Sequence, residues 1–124
     1  PHFNNVEIIE YHHNSKIDAP SGTALTTAER ISASSSEWDK SSTSNRILEG
    51  ARGGITEDGI SIHSVRMEGM VAHQDVIFGT EGQTLTIRQD SYDRSSFMPG
   101  VLLAVKKVGD FPGITLGLEA LLNL

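Results

Sequence analysis

Hydrophobic and polar positions divide the chain into an extended opening, a helix, a polar stretch, a β-rich middle and a helical end. Val6 to His13, "VEIIEYHH", mixes β-branched and aromatic residues with acids and shows no helical repeat, so it predicts a short strand. From Ser21, "SGTALTTAERIS" places Ala24, Leu25, Ala28 and Ile31 at helical spacing, forming one apolar stripe. Pro20 bars an earlier helix start, and Ser21 is placed to cap the helix. The serine-rich run Ser32 to Asn45 predicts an exposed loop or a frayed helix end, with Trp38 anchoring it on the surface. "EGARGGITEDG" predicts glycine-rich irregular chain.

The middle of the chain predicts β structure. "ISIHSVRM", "MVAHQDVIFG" and "QTLTIRQDS" show partial alternation, and in the last Leu85 and Ile87 oppose Thr84, Thr86 and Arg88. Glu68-Gly69 and "GTEGQ" are turn-type separators, so an antiparallel meander is expected. "SSFMPGVLLAVKKVG" then spaces Val101, Leu102, Val105 and Val108 as one helix that opens on serines and stops at Gly109. The tail "ITLGLEALLNL" is apolar enough to require a docking surface. The fold class expected is α+β: a mixed, largely antiparallel sheet of about four strands, with helices on one face and the other face free for oligomer packing.

Composition narrows the partners. The 124 residues make one ordinary domain, and a net charge of −6 argues against nucleic acid or an anionic membrane. With no cysteine, disulfides and thiolate metal sites are excluded. No apolar run reaches the length of a membrane span, so a cytoplasmic location is the default expectation. The first residue is proline, which fits either processing or a piece of a longer protein.

The chemistry concentrates in "HHNSKIDAPSGT", residues 12 to 23, at the joint between the predicted strand and helix. A helix N-terminus presents unsatisfied N–H groups that favour anions. Gly22 lets a ligand approach the backbone, Thr23 adds a hydroxyl donor, and Lys16 supplies a positive charge. His12 and His13 add titratable groups and can share one site if the strand ends near them. His12, His13 and Asp18 are residue types that bind metals, but no HExxH-like spacing supports a metal site. His63 and His73, each in a predicted strand, read as structural, and Arg94 could simply cap a helix or pair at the surface. Gly50, Gly53 and Gly54 do not make GxGxxG. Spacing alone leaves a carboxylate cradle, a phosphate-binding domain and a plain helix cap as alternatives.

The run Glu10, His12, His13, Lys16, Asp18, Ala19, Pro20, Ser21, Gly22, Thr23, Ala24 resembles the signature of the dihydrodipicolinate reductase family, roughly E-x-H-H-x-x-K-x-D-A-P-S-G-T-A. "MVAHQDVIFGTEGQTLTIRQDSYDRSSFMPGV" resembles that family's β region and following helix. The likeness spans nearly the whole chain and is weakest in the serine-rich loop.

The resemblance implies an oxidoreductase of the diaminopimelate route to lysine, working as a homotetramer with NADPH or NADH. It implies that this chain is the C-terminal substrate and tetramerisation domain, and that the fragment alone is inactive because the nucleotide domain lies outside it. Residues 1-95 would form the substrate-binding and oligomerisation domain, and 96-124 a helix and tail docking on the nucleotide domain. His12 would be the general acid, with Lys16 assisting and holding substrate. His13, Gly22 and Thr23 would contact a small dicarboxylate, and Arg94, matched to an arginine near the interdomain hinge, would join these substrate-binding residues. A non-catalytic oligomerisation module and an anion- or phosphate-binding domain remain the alternatives.

Overall fold

Strand β1 (Asn5–His12) turns Val6, Ile8 and Glu10 inward and leaves the alternate positions half-buried or exposed. In this computed structural model, which describes residues 1–35, 37–39 and 43–122, β1 is the central strand of a five-stranded sheet. The others are β2 (Gly54–Ile55), β3 (Ser61–Arg66), β4 (Ala72–Thr80) and β5 (Gln83–Ser91), in the order β2-β3-β1-β4-β5. β1 runs parallel to β3 and antiparallel to β4; β2–β3 and β4–β5 are antiparallel.

Two expectations change here. The middle strands are not a simple meander, because β3 and β4 flank β1 instead of pairing with each other. Ile8 and Ile9 make β1 apolar on both faces, which suits an interior strand bonded along both edges. Arg66 and Ala72 are both in register with His12, so residues 67–71 cross over the carboxyl end of β1, bridging roughly 10 Å. The strand count is five, not about four, because the glycine-rich stretch contributes β2. Gly53, at φ +64°, sits so close to the Ile62 carbonyl that a Cβ would collide with it, and that contact lets the edge pair form.

Helix α1 (Gly22–Ser32) covers one face of the sheet. Ala24 and Ala28 are buried against Val6, Ile8, Ile60, Ile62 and Val76, small side chains allowing close approach. Leu25 departs from the expected stripe and stays 41% exposed. Ser21 caps the helix as expected, its side chain accepting from the Ala24 N–H at 3.2 Å. Ser21→Ala should cost about 1 kcal/mol, readable as a lowered denaturation midpoint; no change would mean the cap is redundant.

Trp38 does not sit on the surface. It is buried in the core beside α1, and Asp39 N–H donates to the Asn4 carbonyl, tying that segment to the start of β1. An indole gains more from burial than from any surface contact. Ser36 and Lys40 to Ser42 of the serine-rich loop lie outside the described residues.

The chain forms two compact units, Pro1–Ser91 and Tyr92–Leu124. The second holds a 3₁₀ turn (Arg94–Phe97) continuing into α2 (Met98–Lys107), a further turn (Val108–Asp110) and α3 (Glu119–Leu122). Asp93 caps the first turn by accepting from Ser95 N–H at 2.7 Å, so an aspartate opens this segment where serines were expected to do so. Leu121 is buried and Lys107 Nζ donates to its carbonyl at 2.7 Å. Among the described residues no helix is long and apolar enough to cross a membrane.

Candidate functional site

The parallel strands β1 and β3 end side by side, at His12 and Arg66, and α1 begins on the same chain nine residues past β1, after Ser21. Carboxyl ends of parallel strands are where α/β units place ligands. The joint between them is ordered by one acidic side chain. Glu10 lies in the inward row of β1, where Val6 and Ile8 precede it, and has no exposed surface. Arg66 grips it with two hydrogen bonds, Nη1 to Oε2 at 2.8 Å and Nη2 to Oε1 at 2.7 Å. His12 Nδ1 approaches Oε2 at 2.5 Å, and Ser21 N–H donates to Oε1 at 3.2 Å. Burial alone would push this carboxyl up, but the hydrogen bonds from Arg66, Ser64 and His12 prevail and bring it down to about 2. Glu10 is therefore ionised, so His12 must donate from Nδ1. Its Nε2 has no partner among the described residues.

The remaining motif residues hang on this frame. Lys16 N–H donates to the His13 carbonyl at 3.1 Å, closing a turn, and His13 Nδ1 meets Ser15 Oγ at 2.7 Å. Lys16 Nζ donates to Asp18 Oδ1 at 2.6 Å, and that bond holds the Asp18 carboxyl below its usual range. Arg66 Nη2 also donates to the Asp18 carbonyl at 2.8 Å, tying the loop to the strand end. Ala19–Pro20 is a cis peptide.

At the helix start, the N–H groups of Gly22 and Thr23 find no acceptor among the described residues. A Cβ built on Gly22 meets nothing within 4 Å, and its φ is not positive. Neither packing nor backbone conformation requires glycine there. Along the flank of α1 that begins at Gly22 runs a groove of about 450 Å³ lined by Gly22, Thr23, Thr26, Thr27 and Arg30, to which His12, His13 and Lys16 do not contribute.

The structure thus brings His12, His13, Lys16, Gly22 and Thr23 onto one strand-to-helix joint. Arg94 opens the first turn of the second unit and is exposed there. His63 bonds Glu7 at 2.7 Å, and His73 is buried against Asp90 at 2.7 Å, both away from the joint on the sheet face opposite α1. Among the described residues no three His, Asp or Glu side chains converge as metal ligands.

Sequence reasoning missed the parts played by Glu10 and Arg66. The available signal was an acid in the inward row of an otherwise apolar strand. Its partner, 56 positions away, could not be read from local pattern.

Comparison with known proteins identifies the family. The family model "Dihydrodipicolinate reductase, C-terminus" matches residues 1–122. The chain is 56% identical over 128 residues to the 4-hydroxy-tetrahydrodipicolinate reductase of Corynebacterium aurimucosum, covering 98% of this chain and 50% of that protein. It is 56% identical over 128 residues to the enzyme of that name from Mycobacterium ulcerans, covering 100% and 51%. The structure is similar to dipicolinate-bound dihydrodipicolinate reductase from Paenisporosarcina sp. TG-14, with TM-score 0.82 and 48% identity over 96% of this chain and 45% of that one. The chain spans about half the length of the curated relatives it matches. With the family model covering all but the last two residues and relatives this similar, the chain belongs to the dihydrodipicolinate reductase family, in its C-terminal part.

Proposed function

We propose that this chain is the substrate-gripping part of an NAD(P)H-dependent reductase acting on a small ring dicarboxylate. The observation that carries the reading is the pair of N–H groups at Gly22 and Thr23 that have no acceptor among the described residues, at the start of a helix whose cap is already satisfied and with open space where a Gly22 Cβ would stand. They and the Thr23 hydroxyl suit one carboxylate, and the helix dipole favours it. Lys16 and His13 suit the second. The Lys16–Asp18 pair is 2.6 Å long but its aspartate is 57% exposed, and such surface pairs are worth only about 0–1 kcal/mol, so a ligand carboxylate can displace Asp18 at little cost. His12 Nε2, without a partner among the described residues and backed by Glu10, is the atom placed to hold and deliver a proton. A positioned acid typically contributes roughly 10²–10⁴-fold. The solved Paenisporosarcina reductase was obtained with dipicolinate, which belongs to the ligand class assigned here.

NADPH or NADH is assigned no residue of this chain. Among the described residues the strand-to-helix joint carries Ser-Gly-Thr in place of a glycine-rich turn, and Gly50, Gly53 and Gly54 lead into a strand. The same reading makes the whole enzyme a cytoplasmic homotetramer, with Arg94 near the interdomain hinge. The half-buried Ile9, Val65 and Ile77 on the sheet face opposite α1 are its packing surface.

Calorimetric titration with pyridine-2,6-dicarboxylate tests the grip. The unaltered chain should bind saturably, and Lys16→Ala and Gly22→Ala should each weaken binding about tenfold or more. Gly22→Ala should leave unfolding free energy within about 0.5 kcal/mol, since the added methyl meets nothing. Absence of binding, equal affinity in all three proteins, or tighter binding of inorganic phosphate would overturn the assignment.

A further inference from the structure

Glu10 does more than a structural ion pair requires. A buried carboxylate paired for stability alone needs only the two hydrogen bonds from Arg66. Here His12 Nδ1 at 2.5 Å and the Ser21 N–H at 3.2 Å also donate to it, beside a hydrogen bond from Ser64. His12 is the next inward residue of β1, and Ser21 is the residue that caps α1.

On the dicarboxylate reading of the site, we propose that Glu10 is a positioning residue for the reaction: it holds His12 with hydrogen on Nδ1, so that Nε2 is the proton-transferring atom. Through the Ser21 N–H the same carboxylate sets where α1 begins. One side chain therefore fixes the spacing between the donors that grip the ligand and the atom that supplies the proton. Arg66 keeps Glu10 in place with two parallel hydrogen bonds and, by donating to the Asp18 carbonyl at 2.8 Å, holds the loop that carries Lys16. His12 sits 18% exposed by side chain, open to a ligand on one side and bonded on the other.

Long-range ¹H–¹⁵N correlation spectra of the chain labelled at histidine, taken above the imidazole titration range, report the tautomer directly. His12 should be found in the Nδ1–H form alone. In Glu10→Gln the preference should fall roughly tenfold or more, as expected when a charge-assisted hydrogen bond is lost. Glu10→Asp keeps the charge for Arg66 but shortens the arm, and should lose the same preference; it serves if the glutamine variant does not fold. An Nε2–H tautomer in the unaltered chain, or an unchanged tautomer in a folded variant, overturns the positioning role. Adding pyridine-2,6-dicarboxylate to the labelled unaltered chain separates the two claims. It should move the His12 Nε2 resonance. No binding sinks the cradle, whereas binding with the wrong tautomer sinks only the part given to Glu10.

Discussion

Arg66→Met should destabilise the chain by about 3–5 kcal/mol, a large share of the roughly 5–15 kcal/mol available to a domain. The substitution leaves Glu10, with no exposed surface, ionised and without its cation. It also removes the donor to the Asp18 carbonyl. Methionine fills much of the same volume, so lost packing is a minor part of the expected effect. Denaturant unfolding of the single variant, of Glu10→Leu, and of the pair together forms a cycle that isolates the coupling. The double variant should recover much of the stability, because replacing both members of a buried pair is far cheaper than orphaning one. It should nonetheless bind dicarboxylate poorly, having lost the frame of the joint. A loss below about 1 kcal/mol for Arg66→Met would mean that water reaches Glu10 after all.

Acid should act on the same group. The folded chain holds the Glu10 carboxyl at about 2, against 4.5 for an ordinary glutamate. As pH falls, the unfolded chain takes up the proton first. The stability Glu10 contributes is therefore complete above about pH 5 and is lost progressively between there and pH 2. The difference in proton affinity corresponds to about 3 kcal/mol. Glu7, lowered by Arg52 and His63 against its own desolvation, and Asp18, lowered by Lys16, act in the same direction from more exposed positions. Unfolding free energy followed from pH 6 to pH 2 should fall steeply in the unaltered chain and more gently in Glu10→Gln. Parallel curves for the two proteins would remove Glu10 from the account of acid stability.

Much of this was legible locally. The strand at the opening, the Ser21 cap, the run from Gln83 to Ser91 and the helix after Phe97 follow from alternation, capping chemistry and helical spacing, each confined to about a dozen residues. What the pattern could not show depends on distant partners. Nothing within residues 60–80 announces that another strand separates β3 from β4, because the separating strand lies near the start of the chain. Trp38 sits in a run of serines that speaks for exposure, and the cavity that accepts its ring is built by α1 and the sheet. Glu10 and Arg66 were each visible as residues, but their mutual contact was not. The groups that touch a ligand were readable from the motif; the pair that holds them in place needed the fold.

The insertion of β1 between β3 and β4 also bears on the order in which the molecule assembles. β4 and β5 are joined by a tight turn at Glu81-Gly82 and can pair as soon as both are made. β1, although first in the chain, has partners that begin only at Ser61 on one side and Ala72 on the other. Closing loops that long is entropically costly and comes late. On these grounds His12 and the donors of α1 should acquire their arrangement late, only once β1 has found both of its neighbours. A partly made or partly unfolded chain presents no ligand cradle at all, so dicarboxylate should protect the whole sheet from exchange as one cooperative unit.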